Sequence, residues 1–262
     1  MTTILAKILE QKRTEVATLD ARALRTAADH SPAPRNFQKA LVSIRAGNPP
    51  TLIAELKRAS PSRGFLAPHL DLFQVADIYT RNGAAAISVL TDEKFFLGKL
   101  ETLRELRFTH HSSLPLLRKD FIICEEQLLE SRANGADAIL LIAAALPDDA
   151  NFADLHACAL SLGLTALVEV HTQAEIERAL ILKDINLIGI NNRNLSTFEV
   201  SLSTTEQLRP LIPSNITVVA ESGIFTSEDV DRLARADVNA ILVGEAVITA
   251  PDIAAKVREL TR

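Results

Sequence analysis

Eight short apolar runs, rich in Ile, Val, Leu and Ala, return along the chain about one βα unit apart. They are "TLIAEL" from Thr51, "AAISVLT" from Ala85, "LPLLRKD" from Leu114, "AILLIAA" from Ala138, "TALVEV" from Thr165, "NLIGINN" from Asn186, "ITVVAES" from Ile216 and "AILVGEA" from Ala240. Segments of helical period with polar faces separate them. In "DLFQVADIYTRNG", Leu72, Val75, Ala76 and Tyr79 share a side and Gly83 stops the helix. In "TSEDVDRLARAD", Thr226 or Ser227 caps, and Glu228 and Asp229 suit the positive helix end. "RNGAAAI" and "RANGADAI" look like one helix-stop, strand-start device used twice. Eight βα units predict an α/β fold, a (β/α)8 TIM barrel with its helices outside. A doubly wound sheet is the alternative, but no G-x-G-x-x-G loop follows the first run.

Residues 1–50 precede the first strand and read as a helical extension, the whole of 1–262 forming one barrel domain. The extension divides into a helix over Thr3–Leu19, a Pro-broken link over Ser31–Pro34 and a short helix over Phe37–Arg45. It could cap the barrel floor or cover its mouth, and the sequence favours neither.

Hydrophobic residues make up 47% and charged residues 23% of the 262, as in ordinary globular proteins, and the formal net charge is −5. An acidic balance argues against nucleic-acid binding as the main task. Cys124 and Cys158 have no metal-ligand spacing and read as reduced. No apolar stretch approaches the ~18 residues of a membrane span, and no signal segment opens the chain, so a cytoplasmic protein is expected. The Asn194 and Asn215 sequons are then chance matches. His110-His111 reads as a surface loop rather than a metal pair, and Arg58 and Arg63 as solvent or loop charges.

Polar residues interrupt the apolar runs almost only at their C-terminal ends. Glu55 and Lys57 close the first run, Lys119 the third, Glu169 the fifth, Asn191 the sixth with Arg193 beyond, and Glu221 and Ser222 the seventh. In a parallel barrel those ends meet at one mouth. The strand period of two puts Ile53, Glu55 and Lys57 on one face, and likewise Leu117 with Lys119, Leu167 with Glu169 and Val219 with Glu221. A buried unpaired ion costs several kcal/mol, and five would exceed a typical domain's stability of about 5–15 kcal/mol. These groups must therefore pair with one another or touch water and ligand. Gly223 and Gly244, after the seventh and eighth strands, mark the place where such barrels commonly bind phosphate through backbone N–H groups.

"IAELKRASPSRG", "TDEKFFLG", "LLRKDFI", "LVEVHT", "IGINNRNL", "AESGI" and "LVGEA", in that order over nearly the whole chain, resemble the indole-3-glycerol-phosphate synthase family. The resemblance implies a carboxy-lyase of tryptophan biosynthesis. Such an enzyme closes 1-(2-carboxyphenylamino)-1-deoxyribulose 5-phosphate to indole-3-glycerol phosphate, losing CO2 and water, with no cofactor and no metal.

By resemblance Lys119 is the acid that protonates the substrate ketone, its pKa depressed by burial beside Lys57 while carboxylates oppose this. Glu169 is the base, for the proton on the ring-closing nitrogen, or a proton shuttle. Lys57 binds the substrate carboxylate, and the second acid stays open between the lysines. Glu55 and Glu221 orient the lysines, Asn191 and Ser222 position the substrate, and Arg193 contacts an anion or anchors a loop. Phe95 and Phe96 wall the aromatic ring. Ser60, with Pro61 and Ser62, closes over the substrate carboxylate or simply makes a turn. Gly223, Gly244 and the N–H of Glu245 hold the phosphate. Some relatives carry a hydroxyl residue at position 245, so the Glu245 carboxylate is expected to turn away from the anion. A phosphosugar substrate and a monomer follow, with no nucleic acid or membrane partner. The rivals are an isomerase on the same barrel, a Schiff-base aldolase using Lys119, and a non-catalytic barrel.

Overall fold

The computed structural model describes residues 3–42, 49–60, 64–65, 70–194 and 198–261. Its eight long strands are β1 (Thr51–Leu56), β4 (Ala86–Leu90), β5 (Leu116–Lys119), β6 (Ala138–Ile142), β7 (Thr165–Val170), β8 (Leu187–Asn191), β9 (Thr217–Glu221) and β10 (Ala240–Val243). Each pairs in parallel with its neighbours, and β10 pairs with β1, Thr51 opposite Ala240, so the sheet closes into a barrel. The eight runs are these eight strands. A small antiparallel pair, β2 (Ala59–Ser60) and β3 (Gly64–Phe65), lies in the loop after β1, which the sequence had suggested only as a turn. Pro61, Ser62 and Arg63 lie outside the described residues, as does the Ser60 side chain.

Helices α4 (Leu72–Arg81), α5 (Glu93–Phe96), α6 (Leu100–Phe108), α7 (Glu125–Ala133), α8 (Asp149–Ser161), α9 (Gln173–Leu180), α10 (Ser203–Leu208), α11 (Ser227–Arg235), α12 (Glu245–Ile248) and α13 (Ile253–Leu260) follow the strands. Their ends obey local chemistry. Asp71 caps α4, whose buried stripe is Leu72, Val75, Ala76 and Tyr79, and Gly83 ends it with φ 103°. Thr226, rather than Ser227, caps α11 in a reciprocal box with Asp229. Residues at alternate strand positions face outward, Leu52, Ala54 and Leu56 of β1 among them, and pack under these helices. The other set faces the lumen, where Ile53, Ala86, Leu117, Leu140, Leu167 and Val219 make a second core.

The N-terminal extension serves both ends of the barrel. It holds α1 (Ile4–Val16), α2 (Ala21–His30) and α3 (Phe37–Leu41). The sequence reading missed α2, which is largely exposed and whose one large apolar side chain is Leu24. Asp20 caps α2, Arg25 pairs with Glu125 of α7, and Arg132 of α7 binds the carbonyls of Ser31 and Pro32. The floor is closed by α3. Phe37 and Leu41 are fully buried in the lumen core. Gln38 donates to the Asn186 carbonyl and to Thr217 Oγ1, and Thr51 Oγ1 donates to the Leu41 carbonyl, all at the N-terminal ends of strands. At the opposite end, Ile4, Leu5 and Ile8 of α1 line the mouth. Positions 43–45 of the expected Phe37–Arg45 helix lie outside the described residues. Among the described residues no helix is long and apolar enough to cross a membrane.

Candidate active site

Alternate strands β1, β5, β7 and β9 share one pattern at their C-terminal ends. Ile53, Leu117, Leu167 and Val219 belong to the lumen core. Two residues later stand Glu55, Lys119, Glu169 and Glu221, on the same face of each strand. Lumen residues of such barrels fill in layers of four drawn from alternate strands. Here the lower layer of four is apolar and the layer above it is ionic. It has one cation and three carboxylates, with Lys57 beyond Glu55.

The charges are paired. Lys119 Nζ contacts Glu169 Oε2 at 3.2 Å and also binds Glu221 Oε2. Lys57 Nζ lies 2.8 Å from Glu55 Oε1. Asn191 Oδ1 accepts the Arg193 N–H at 3.0 Å. Burial by itself would lower the Lys119 pKa, but Glu221, Glu169 and Glu55 outweigh it and raise the pKa above the ordinary lysine value. This corrects the expectation of a depressed value, because three carboxylates act on Lys119 rather than a neighbouring lysine. Burial pushes Glu221 up to about 7 despite the opposing pull of Lys119, with Glu169 and Glu55 adding to the rise. Glu169 goes the other way. Burial opposes it, yet Lys119, His171 and Asn191 hold it below the usual carboxylate range. Two carboxylates on one ammonium thus end with unlike proton affinities.

Two glycines make room for this layer. A Cβ on Gly189 of β8 would overlap the Glu221 carboxylate, and one on Gly244 would overlap the Glu55 carboxylate. The space above Gly244, expected to admit phosphate, is therefore filled by Glu55, and Gly244 does not line the cavity. Glu55, Lys57, Lys119, Glu169, Asn191 and Glu221 all line one cavity at the mouth. Ser222, Gly223, Arg193, Phe96 and Glu245 line it too. Phe95 does not, its N–H instead being held by Asp92. The Phe96 ring lies 6.1 Å from that of Phe121, which shares the cavity wall. Ser222 and Gly223 turn the chain through the left-handed region, with φ 67° and 79°. For Ser222 that costs about 1–2 kcal/mol. Buried Asn192 stabilises the turn by donating to the Ser222 carbonyl, while its Oδ1 accepts from Thr205. Arg193 pairs with Val200 in a backbone β-bridge and also lines the cavity.

Several participants escaped the sequence reading. Lys12 of α1, 3% exposed, binds Asp120 at 2.8 Å, Asp92 at 3.0 Å and Glu15 at 2.8 Å. It ties α1 to the loops after β4 and β5. Asp120 also binds Arg118 and Thr91, and Arg118, pointing outward from β5, reaches Glu130. His171 follows β7 on the same side as Glu169 and lies between Glu169 and Glu175. At i+4 from Ile8, Lys12 continues the buried stripe of α1, a signal that the sequence reading did not use. His110, expected in a surface loop, binds Asp77 of α4 at 2.9 Å. Both cysteines are free and half-buried, and the described residues contain no cluster suited to a metal ion.

The family profile described as indole-3-glycerol phosphate synthase matches residues 5–260. The chain is 49% identical to the indole-3-glycerol phosphate synthase of Desulforamulus reducens, covering 98% of this chain and 96% of that protein. It is 49% identical to that of Roseiflexus castenholzii, covering 99% and 98%. Among solved structures, a thiamine phosphate pyrophosphorylase from Pyrococcus furiosus is similar with a TM-score of 0.58 at 16% identity, covering 86% of this chain and 96% of that one. Tryptophan synthase from the same organism gives 0.58 at 19%, covering 81% and 98%, and both likenesses speak to the fold alone. With a match over nearly its whole length and close to half of its residues identical to full-length members, this chain belongs to the indole-3-glycerol phosphate synthase family.

Proposed function

We propose that this chain closes 1-(2-carboxyphenylamino)-1-deoxyribulose 5-phosphate to indole-3-glycerol phosphate, CO2 and water, as a monomer in the cytoplasm. Residues 1–262 act as one domain, because α1 and α3 complete the two ends of the barrel. The observation that carries this reading is the Lys119 ammonium held between Glu169 and Glu221, in a cavity that also contains Lys57 and an aromatic wall at Phe96.

Lys57 holds the substrate carboxylate and Lys119 faces the ketone oxygen. As the ring carbon attacks, Lys119 gives its proton to that oxygen, and CO2 leaves the same ring carbon. The Lys119 pKa falls when substrate displaces a carboxylate from it, which makes the proton available at that moment. Dehydration follows. Indole keeps its N–H, so the proton lost comes from the methylene beside the nitrogen, not from the nitrogen as expected above. Glu169 takes it. Glu221, with an affinity near neutrality and in contact with Lys119, orients and helps recharge the lysine. Glu55 orients Lys57, Asn191 orients Glu169, and Ser222 positions the chain near the sugar. Gly223 and the N–H of Glu245 hold the phosphate, the Glu245 carboxylate turning away, and Gly244 leaves room for Glu55 instead. Arg193 fixes the loop beside it, and Ser60 closes over the carboxylate.

An indole-fluorescence assay with this substrate tests the reading, and a chain without Trp gives it a dark background. Indole product at a rate set by enzyme concentration is the expected result. No product, or a borohydride-trapped adduct on Lys119, would favour the isomerase or aldolase instead.

A further inference from the structure

The proposed reaction takes up a proton from solvent. The ketone oxygen needs two protons to depart as water. One returns from the substrate methylene through Glu169. The other must come from solvent, because CO2 carries away a group that entered as a carboxylate. One proton therefore enters the site in every turnover, beside a mouth that Ile4, Leu5 and Ile8 of α1 line.

His171 occupies the position for that entry. Its Nε2 lies 3.5 Å from Glu169 Oε1 and its Nδ1 lies 3.5 Å from Glu175 Oε2. Neither ring nitrogen has a hydrogen-bond partner among the described residues. A shift of about half an ångström would bring either to hydrogen-bond distance, and such contacts often tighten only with substrate bound. The backbone holds the arrangement, since the His171 N–H donates to Glu175 Oε2 at 2.6 Å. Glu169 lines the mouth, whereas His171 and Glu175 line a second, polar chamber beside it, bounded also by Thr3 and Ser201. The ring thus stands in the wall between the two spaces.

We propose that His171 is a positioning residue that acts through Glu169, passing the solvent proton from the side chamber to the mouth with Glu175 holding the ring. The proposal rests on the reaction given above. The carboxylates around the ring favour its protonated form. The protonated ring releases the Nε2 proton to the Glu169 carboxylate and keeps the one on Nδ1, Glu169 passes the proton to Lys119 after the lysine has protonated the ketone oxygen, and the vacated Nε2 takes its proton back from solvent that enters through the side chamber. Only N–H and O–H bonds change, and no electrons are transferred. Facing the ring are Glu169 from β7, Glu175 from α9 and Glu221 from β9. Lys119 stands behind Glu169, while Arg193 and Glu199 line the same chamber. Burial disfavours the cation, but the Glu175 contact and the charges of Glu169, Glu175 and Glu221 prevail and raise the His171 pKa.

The test measures kcat and KM for wild type, His171→Ala and Glu175→Gln from pH 5.5 to 9, with and without added imidazole. In His171→Ala, kcat should fall at least tenfold with KM within about twofold, the loss deepening as pH rises and protons grow scarce. Imidazole should restore at least half of it. Glu175→Gln should move the alkaline limb of the kcat profile to lower pH. A folded His171→Ala variant with wild-type kcat at every pH overturns the relay. So does a loss that imidazole does not restore, or a change in KM alone. If the alanine variant fails to fold, His171→Gln, which fills the same space, should show the same kcat loss, and wild-type kcat there overturns the relay equally. A wild-type protein that forms no indole product sinks the functional reading instead, so the two failures are separable.

Discussion

Lys119→Ala removes the cation that holds Glu169 and Glu221 together. Indole formation should drop below detection while the far-UV circular dichroism stays that of wild type, because the two carboxylates can take up protons and lose their repulsion. Glu169→Gln should cut kcat far more than it changes KM, the pattern of an interaction made in the transition state. Glu221 permits a prediction on stability. Its folded pKa of about 7 lies above a glutamate's ordinary 4.5, so between those pH values the folded chain binds more protons than the unfolded one. Stability therefore falls as pH rises through that window, by at most a few kcal/mol from this group. Urea midpoints of Glu221→Gln against wild type should move in the variant's favour from pH 5 to pH 8, and a constant difference would contradict the raised value. These ionic residues were legible in the sequence because each stands two positions past an apolar lumen residue. Gly189 was not, since its purpose is the space that Glu221 enters from a neighbouring strand.

Helix α1 is held to the mouth by one buried lysine as well as by apolar contact. Lys12→Met would leave Asp92 and Asp120, both under 4% exposed, without their shared cation. Breaking a buried pair from one side costs about 3–5 kcal/mol. Arg118 and Thr91 still serve Asp120, which points to the lower figure. The expected result is a urea midpoint lowered by about 3 kcal/mol equivalent together with a raised KM, as α1 loosens over the cavity. An unchanged midpoint would mean that α1 docks by Ile4, Leu5 and Ile8 alone. The helix itself was evident from its period, but its partner surface was not. An amphipathic helix before a barrel fits either end, and only the pairing of Lys12 with the loops after β4 and β5 selects the mouth.

Across the whole molecule, the extension works at both ends of the barrel. Phe37 fills the floor, and Phe37→Ala should cost about 3–5 kcal/mol through the cavity it leaves. The mouth lies at the other end of the strands. kcat of the folded fraction should therefore stay within about twofold of wild type, and a large loss of kcat at full folding would show that the floor shapes the site.

Eight βα units, the parallel barrel and the convergence of Glu55, Lys57, Lys119, Glu169 and Glu221 were determined by sequence alone. Each follows from a short-range rule, a period of two or of 3.6, that the chain states wherever it occurs. Tertiary structure decided what depends on distances between segments far apart in sequence. It set the rise of the Lys119 and Glu221 pKa values, the filling of the Gly189 and Gly244 spaces by carboxylates, the pairing of Lys12 with Asp92 and Asp120 and the placing of His171 between two chambers. Proton affinity and packing are sums over neighbours, and the neighbours exist only once the barrel has closed.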